Sequence, residues 1–153
     1  MLRLAPEASC AVQLAALFHD VERLESEADR RVEHHAPDYA AFKDAHASRG
    51  GERAREVLLA AGVDEVTASR VRTIVALHER RGHDPEIDLL NDADALSFFS
   101  LNSSGYADYF GPEQTKKKIA YTLARLSPSA RRRLSAVKLR PDVAALVSGS
   151  DGS

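Results

Sequence analysis

The chain of 153 residues contains a single cysteine, Cys10, and no uninterrupted apolar stretch of about 18 residues. One cysteine excludes an intramolecular disulfide and any zinc site built from several thiolates, and it is typical of a reducing compartment. The lack of a long apolar run predicts no transmembrane helix. Residues 1–10 also lack the basic flank and apolar run of a signal peptide, so we expect a cytoplasmic protein.

The sequence also lacks a large excess of either charge. Its 21 lysines and arginines nearly balance 23 aspartates and glutamates, which gives a net charge of -2. This balance provides no global basic field, so neither nucleic acid nor an anionic membrane is predicted as a partner. Short basic runs occur at 116–118 and 131–133. They are typical of a solvated helix surface, because three consecutive helical residues point in different directions.

Apolar residues recur at steps of three and four residues along the chain, which is the spacing of one buried helix face. No segment alternates with the period of two that half-buried strands show. The pattern predicts an all-α protein, with a single helical domain of about six to eight helices over residues 1–147. We expect a flexible C-terminal tail over residues 148–153.

Capping and helix-breaking residues set the expected boundaries of the first helices. The apolar spacing predicts a first helix over roughly residues 9–30. A second is expected to open at Pro37-Asp38 and to end at Gly50-Gly51, and a third to end at Gly62. Asp64 is a typical N-cap for the helix that follows.

The second half of the chain shows similar signals. Residues 81–85 predict a loop before a helix over about 87–101. Residues 102–112 combine turn-forming residues with three aromatic side chains, which predicts a loop that folds over something. Ser127-Pro128 and Pro141 indicate the starts of the last two helices.

Four polar residues lie among apolar neighbours on predicted helices. They are the dyad His19-Asp20, His78 and Asp94. Burying an unpaired carboxylate costs several kcal/mol, so such groups are normally neutralised, paired or bound to a cation. Taken singly, His78 also fits a hydrogen-bonded core histidine, and Asp94 fits a partner for an arginine.

One divalent cation would satisfy these carboxylates and imidazoles together. Imidazole nitrogen and carboxylate oxygen, without thiolate, suit manganese, iron, cobalt, nickel or zinc in an open site. Such an ion lowers the pKa of a bound water and polarises a phosphoryl oxygen, which is phosphate-ester chemistry. Three further histidines, His34, His35 and His83, lie among polar residues and are expected at the surface.

The order of these motifs resembles the HD-domain superfamily of metal-dependent phosphohydrolases. Residues 14–23 (LAALFHDVER) are similar to its apolar run, HD dyad and following basic residue. Residues 44–48 and 52–58 resemble the helix pair that often supplies a further histidine. Residues 73–78 (TIVALH) and 89–96 (LLNDADAL) are similar to the elements that hold a later histidine and the distal aspartate. The resemblance covers roughly residues 11–100 of the chain.

The resemblance implies metal ligands. His19 and Asp20 would bind the ion, with Asp20 acting as the bridge or the base if two metals are held. Asp94 would be the distal ligand. Asp92 would be a hydrogen-bond partner that orients an imidazole, with a ligand role as the fallback.

The remaining implied roles concern the substrate. His46 and His78 would bind a second metal or hold the substrate phosphate, and Arg23 would neutralise phosphate charge in the transition state. Apart from the resemblance, the residues themselves predict a pocket for a phosphate and a base, formed by the aromatic segment around Tyr106 with Lys116, because aromatic rings stack on nucleobases.

By this resemblance we expect a phosphohydrolase for a small phosphorylated molecule, either a nucleotide or a related phosphoester, and a possible homodimer. Superfamily members usually carry one more histidine upstream of the dyad, whereas residues 1–18 contain none. A missing N-terminal helix, a reduced site, or compensation by His34 or His35 would account for this. Two alternatives stay open: a non-catalytic HD-like module that binds a nucleotide or a protein, and a structural bundle for oligomer contacts.

Overall fold

A computed structural model describes residues 4–26, 38–82 and 84–150 of the chain. These ranges contain helices and no β-strand, which confirms the all-α prediction. The described part has eight α-helices and one π-helical turn, in agreement with the expected number. In chain order they are α1 (Cys10–Phe18), α2 (Arg23–Ser26), α3 (Tyr39–Ala60), α4 (Glu65–Leu77), α5 (Pro85–Ser97), the π-helical turn (Phe98–Asn102), α6 (Ser103–Arg125), α7 (Pro128–Leu134) and α8 (Pro141–Ser150).

The chain forms two compact units, Met1–Asn91 and Asp92–Ser153. In the first unit α1, α3 and α4 pack against one another. Its most deeply buried apolar residues are Val12, Ala15, Ala54, Leu58, Ala68, Val71, Ile74, Val75 and Leu90. In the second unit α6 packs against α8 and the π-helical turn. Its buried core includes Phe99, Ile119, Leu123, Leu126, Leu134 and Val143.

The predicted first helix over residues 9–30 is wrong at the HD dyad. The helix α1 ends at Phe18, and residues 19–22 form turns. The imidazole Nδ1 of His19 donates to the carbonyl of Ala16 at 3.0 Å, so a side chain satisfies an acceptor in the last helical turn. The dyad therefore lies in a turn at the end of a helix. The end of that predicted segment lies outside the described residues.

The prediction that Gly50-Gly51 ends a helix is also wrong, because α3 continues through both glycines. A Cβ atom on Gly51 would lie 2.7 Å from the backbone oxygen of Arg72 and 3.0 Å from the Cβ atom of Ala76. The missing side chain therefore allows α3 and α4 to approach closely. This contact outweighs the cost of about 1 kcal/mol for glycine inside a helix.

Residues 102–112 are helical rather than a loop, which corrects a third prediction. The helix α6 follows the π-helical turn directly, and the Oγ atom of Ser103 donates to the carbonyl of Phe99 at 2.9 Å. Only Gly111, with φ 74° and ψ 176°, departs from helical geometry and kinks α6. Pro112 then occupies the first position of the continuing helix, where its missing N–H costs nothing.

Several predicted helix starts are confirmed. The Asp64 carboxylate accepts from the backbone N–H of Thr67 at 2.9 Å and caps α4. The Ser127 hydroxyl accepts from the backbone N–H of Ala130 at 3.1 Å and caps α7. Pro141 opens α8 as expected.

The C-terminal boundary differs slightly from the expected one. The helix α8 reaches Ser150, past the start of the predicted tail at Ser148, and residues 151–153 lie outside the described part. The single domain over residues 1–147 stays a prediction. Within the described ranges, no helix has both the length and the apolar character that a membrane span requires.

Candidate metal and phosphate site

The HD turn, residues 19–22, lies against α3 in the first unit. The imidazole of His46, on α3, is fully buried, and its Nε2 atom is 3.1 Å from Oδ1 of Asp20. Its Nδ1 atom is 2.7 Å from Oε2 of Glu22. One imidazole is thus held between two carboxylates of the same turn, which fixes its position.

Two further imidazoles converge on this point. The ring centroid of His78, at the C-cap of α4, is 5.6 Å from that of His19 and 6.4 Å from that of His46. His78 is buried, and its Nδ1 atom donates to the carbonyl of Val75 at 2.7 Å. The structure therefore brings together His19, Asp20, His46 and His78, four of the residues selected from the sequence.

His46 has a carboxylate at each ring nitrogen, Glu22 at Nδ1 and Asp20 at Nε2, and either nitrogen can carry its proton. In His19 and His78 the hydrogen bond at Nδ1 fixes the tautomer, because a carbonyl can only accept and Nδ1 must therefore donate. In a neutral ring the lone pair is then on Nε2. Each Nε2 atom lies 3.1 to 3.4 Å from a carboxylate oxygen. The Nε2 atoms of His19 and His46 face oxygens of Asp20, and the Nε2 atom of His78 faces Oε1 of Glu79. A lone pair facing a carboxylate is unfavourable unless a proton or a metal ion lies between them.

The Asp20 carboxylate has several neighbours that favour its ionised form. Burial acts to raise the pKa of Asp20. The hydrogen bond from His46 and the charges of His19 and Arg23 outweigh it and hold that pKa well below its usual range. The Nε atom of Arg23 donates to Oδ1 of Asp20 at 3.0 Å, so the guanidinium lies beside the candidate ligand.

Charged residues that sequence reasoning missed surround these imidazoles. Arg49 donates to Oε1 of Glu22 at 2.9 Å, and Lys43 lies 2.5 Å from Oε1 of Glu79. Glu22, Lys43 and the side chain of Glu79 are almost completely buried. Their positions in the sequence could have indicated them, because Glu22 lies two residues after the dyad and Glu79 directly follows His78.

The donor types fit a transition-metal ion. Two ligands bound to one ion at about 2.1 Å lie roughly 3.0 to 3.4 Å apart for bond angles of about 90° to 109°. The distances from the Asp20 oxygens to Nε2 of His46 and of His19, 3.1 and 3.4 Å, match that separation. However, among the side chains that the structure describes, no group of three or more histidine, cysteine, aspartate or glutamate residues is placed to hold an ion. The fit therefore extends to donor chemistry and to pairs of ligands.

The predicted distal aspartates belong to the second unit. Asp94 lies 3.4 Å from the guanidinium of Arg125. The buried carboxylate of Asp92 accepts hydrogen bonds from the backbone N–H and the hydroxyl of Ser127, at 2.8 and 2.5 Å. Asp92 thus links α5 to the start of α7. The metal-related roles of both aspartates stay predictions.

The other expected substrate contacts also lie in the second unit. Tyr106 packs against Phe98 and Phe110, with centroid distances of 5.8 and 4.4 Å, so its ring is engaged within the helical core. Lys116 is exposed on α6. A different lysine of α6, Lys118, has its Nζ atom 5.7 Å from the Phe98 centroid. The histidines at 34, 35 and 83 lie outside the described residues.

By fold, the chain is an all-helical protein with a cluster of imidazoles and carboxylates where a helix gives way to a turn. Residues 1–147 match the model of a family described as Domain of unknown function (DUF4202), and the chain belongs to that family. No curated protein and no solved structure gives a match to this chain.

Proposed function

We propose that the protein is an HD-type, metal-dependent phosphohydrolase that acts on a small phosphorylated molecule, a nucleotide or a related phosphoester. The observation that carries the proposal is the hydrogen-bonding geometry that His19, His46 and His78 have in common. Each has its Nδ1 atom committed to an acceptor and its Nε2 atom facing a carboxylate oxygen. Tying the outer nitrogen to a carbonyl or carboxylate is how proteins orient histidines that bind metals.

Residues of the first unit would take separate roles in binding the metal ion and the substrate. His19, Asp20 and His46 would hold the ion. A bound divalent ion would polarise a phosphoryl oxygen and make a water acidic near neutral pH. Arg23 would neutralise phosphate charge, and His78 would bind a further phosphate oxygen. Asp20 would act as a ligand rather than as the base, because a carboxylate with a lowered pKa accepts protons poorly.

A second candidate is a non-catalytic HD-like module that binds a nucleotide or a protein. It is favoured by the absence, in the described ranges, of three donors placed around one point. In that case His46 is an imidazolium that donates to Glu22 and to Asp20, and the cluster is a buried ion-pair network. The two candidates therefore differ in whether a proton or a metal ion separates His46 from Asp20.

Metal content and phosphatase activity separate these candidates. We expect the purified protein to contain about one or two equivalents of a transition metal and to release phosphate from nucleotides. Asp20→Asn should remove both properties, because it deletes the carboxylate shared by two imidazoles. Asp44→Asn is the matched control, since Asp44 also pairs with an arginine, Arg80, but lies outside the cluster. Elemental analysis and a phosphate-release assay give the readouts, and a wild type without metal or activity would overturn the proposal.

The proposal includes a cytoplasmic location and assembly as a homodimer. Cys10 is a free, exposed thiol, and such a thiol is stable in a reducing compartment. Fractionation of cells that express a tagged chain tests the location, and light scattering of the purified protein tests the dimer.

A further inference from the structure

A buried ion pair lies beside the imidazole cluster and has no role in the mechanism proposed above. The Nζ atom of Lys43, on α3, lies 2.5 Å from Oε1 of Glu79, just past the end of α4. Only 11% and 5% of these side chains is exposed. Removing two charges from water is costly, and apolar residues of similar size are often at least as stabilising. A role beyond stability would account for the pair.

A second ion pair already connects the same two segments. Arg80, next to Glu79 in sequence, donates to the carboxylate of Asp44, next to Lys43, at 2.7 and 3.2 Å. These two side chains are largely exposed, so their contact carries little of the desolvation cost. The contact between α3 and the end of α4 therefore does not require a buried pair.

Lys43 faces the candidate site. It lies one helical turn before His46, so the two side chains share a face of α3. The oxygen that Lys43 contacts, Oε1 of Glu79, also lies 3.3 Å from Nε2 of His78. One carboxylate oxygen thus lies between an ammonium and an imidazole, groups that also bind phosphate oxygens. Solvent reaches the cluster at Asp20, whose side chain is half-exposed.

We infer that Lys43 is a substrate-binding residue that donates to a phosphate oxygen next to the Glu79 carboxylate. An ammonium has three N–H donors, so it can hold a carboxylate and a phosphate at once. Glu79 keeps the ammonium in place, while its negative charge opposes an anion beside it. That the phosphate belongs to a substrate rests on the proposed phosphohydrolase function, whereas the phosphate contact can be measured without turnover.

The decisive variant replaces both partners, Lys43→Gln with Glu79→Gln. Two glutamines can hydrogen-bond to each other, so no unpaired charge stays buried. The net charge of the cluster is also unchanged, so weaker phosphate binding reports the lost contact rather than a changed field. The matched control is Arg80→Gln with Asp44→Asn, which removes the exposed pair between the same segments. Thermal melts establish that both double variants are folded.

Isothermal titration calorimetry with inorganic phosphate measures the contact, on protein that has been incubated with Mn²⁺ and then desalted. We expect the phosphate Kd of the Lys43/Glu79 double variant to rise roughly 10- to 100-fold, as for the loss of a charge-assisted hydrogen bond. The control should stay within about twofold of the wild type. A folded Lys43/Glu79 double variant that binds phosphate as the control does would overturn the inference, and so would a wild type that binds no phosphate.

The single variant Glu79→Gln provides a result of opposite sign. Removal of the negative charge should lower the phosphate Kd roughly 2- to 10-fold, because a like charge beside the anion is gone. A pair that only stabilises the fold would not give opposite changes in phosphate affinity for the single and the double variant. An unchanged or higher Kd in folded Glu79→Gln would contradict the placement of the phosphate beside Glu79.

Phosphate release from nucleoside monophosphates separates this role from the proposed function. In an active enzyme, the double variant should raise KM more than it lowers kcat, because the lost contact holds the phosphate before and during the reaction. If the wild type releases no phosphate but its phosphate affinity depends on Lys43, the proposed function fails and the phosphate contact stands. If the wild type is active and neither KM nor the phosphate Kd responds to the double variant, the role of Lys43 fails alone.

Discussion

Asp20 combines partial exposure with several positive neighbours. Its side chain is 48% exposed, and it accepts from Arg23 at 3.0 Å and contacts His46 at 3.1 Å. Half-exposed ion pairs contribute little individually because water screens them. In a network that includes a buried imidazole, however, the charge on Asp20 supports several contacts at once. Its protonation should therefore affect the folded state.

The lowered pKa of Asp20 predicts a contribution to acid stability. Since this pKa lies below the ordinary value of 3.8, the ionised group stabilises the fold above that value, and the contribution is lost as the pH falls through and below it. Asp20→Asn removes the titrating group. We therefore expect the free energy of unfolding, measured with urea, to fall less steeply with acidification in the variant. Equal slopes in the two proteins would contradict this account.

Single residues differ in how far the sequence reveals them. His19, Asp20 and His78 stood out because polar side chains interrupt apolar faces, whereas His46 was selected through the family resemblance. Glu22 did not, because a glutamate followed by an arginine is typical of a solvated helix end. Its burial comes from contact with α3, and that tertiary contact leaves no local pattern in the sequence.

At the scale of elements, the contact between α3 and α4 depends on the missing side chain of Gly51. Gly51→Ala places a Cβ atom 2.7 Å from a backbone oxygen, and backbone cannot move aside cheaply. We expect destabilisation of about 1–3 kcal/mol, as for an overpacked core. A chemical denaturation curve measures this.

The matched control is the same substitution at an open helical site. Gly105 lies in α6, and nothing is within 4 Å of a Cβ atom built there. Gly105→Ala should stabilise the protein by roughly 0.5–1 kcal/mol, because alanine favours a helix over glycine. If both substitutions had the same sign, the close approach at Gly51 would not be the cause.

Element boundaries were predictable where the signal is local. Asp64 and Ser127 cap helices through hydrogen bonds to residues three positions away, which the sequence encodes directly. The continuation of α3 through Gly50-Gly51 depends on close contact with α4 at Arg72 and Ala76. Within residues 102–112, the ring of Tyr106 packs against the rings of Phe98 and Phe110. Turn-forming residues alone therefore gave the wrong result there.

At the scale of the whole molecule, the imidazole cluster lies within one of the two units. Residues from α3, from the C-cap of α4 and from the turn after α1 supply it, and all belong to Met1–Asn91. A ligand at this cluster would join three segments that are far apart in the sequence. Under the proposed function, metal binding should consequently stabilise the folded state of that unit.

This coupling predicts a metal-dependent melting temperature. An ion that binds only the folded state at a free concentration one hundred times its Kd adds about 2.7 kcal/mol of stability. We expect Mn²⁺ to raise the Tm of chelator-treated wild type and of Asp44→Asn, because both retain the cluster. Asp20→Asn should show no rise, since the shared carboxylate is gone. A similar rise in Asp20→Asn would place the ion elsewhere, and no rise in any protein would favour the imidazolium form of His46, in which a proton already separates the ring from Asp20.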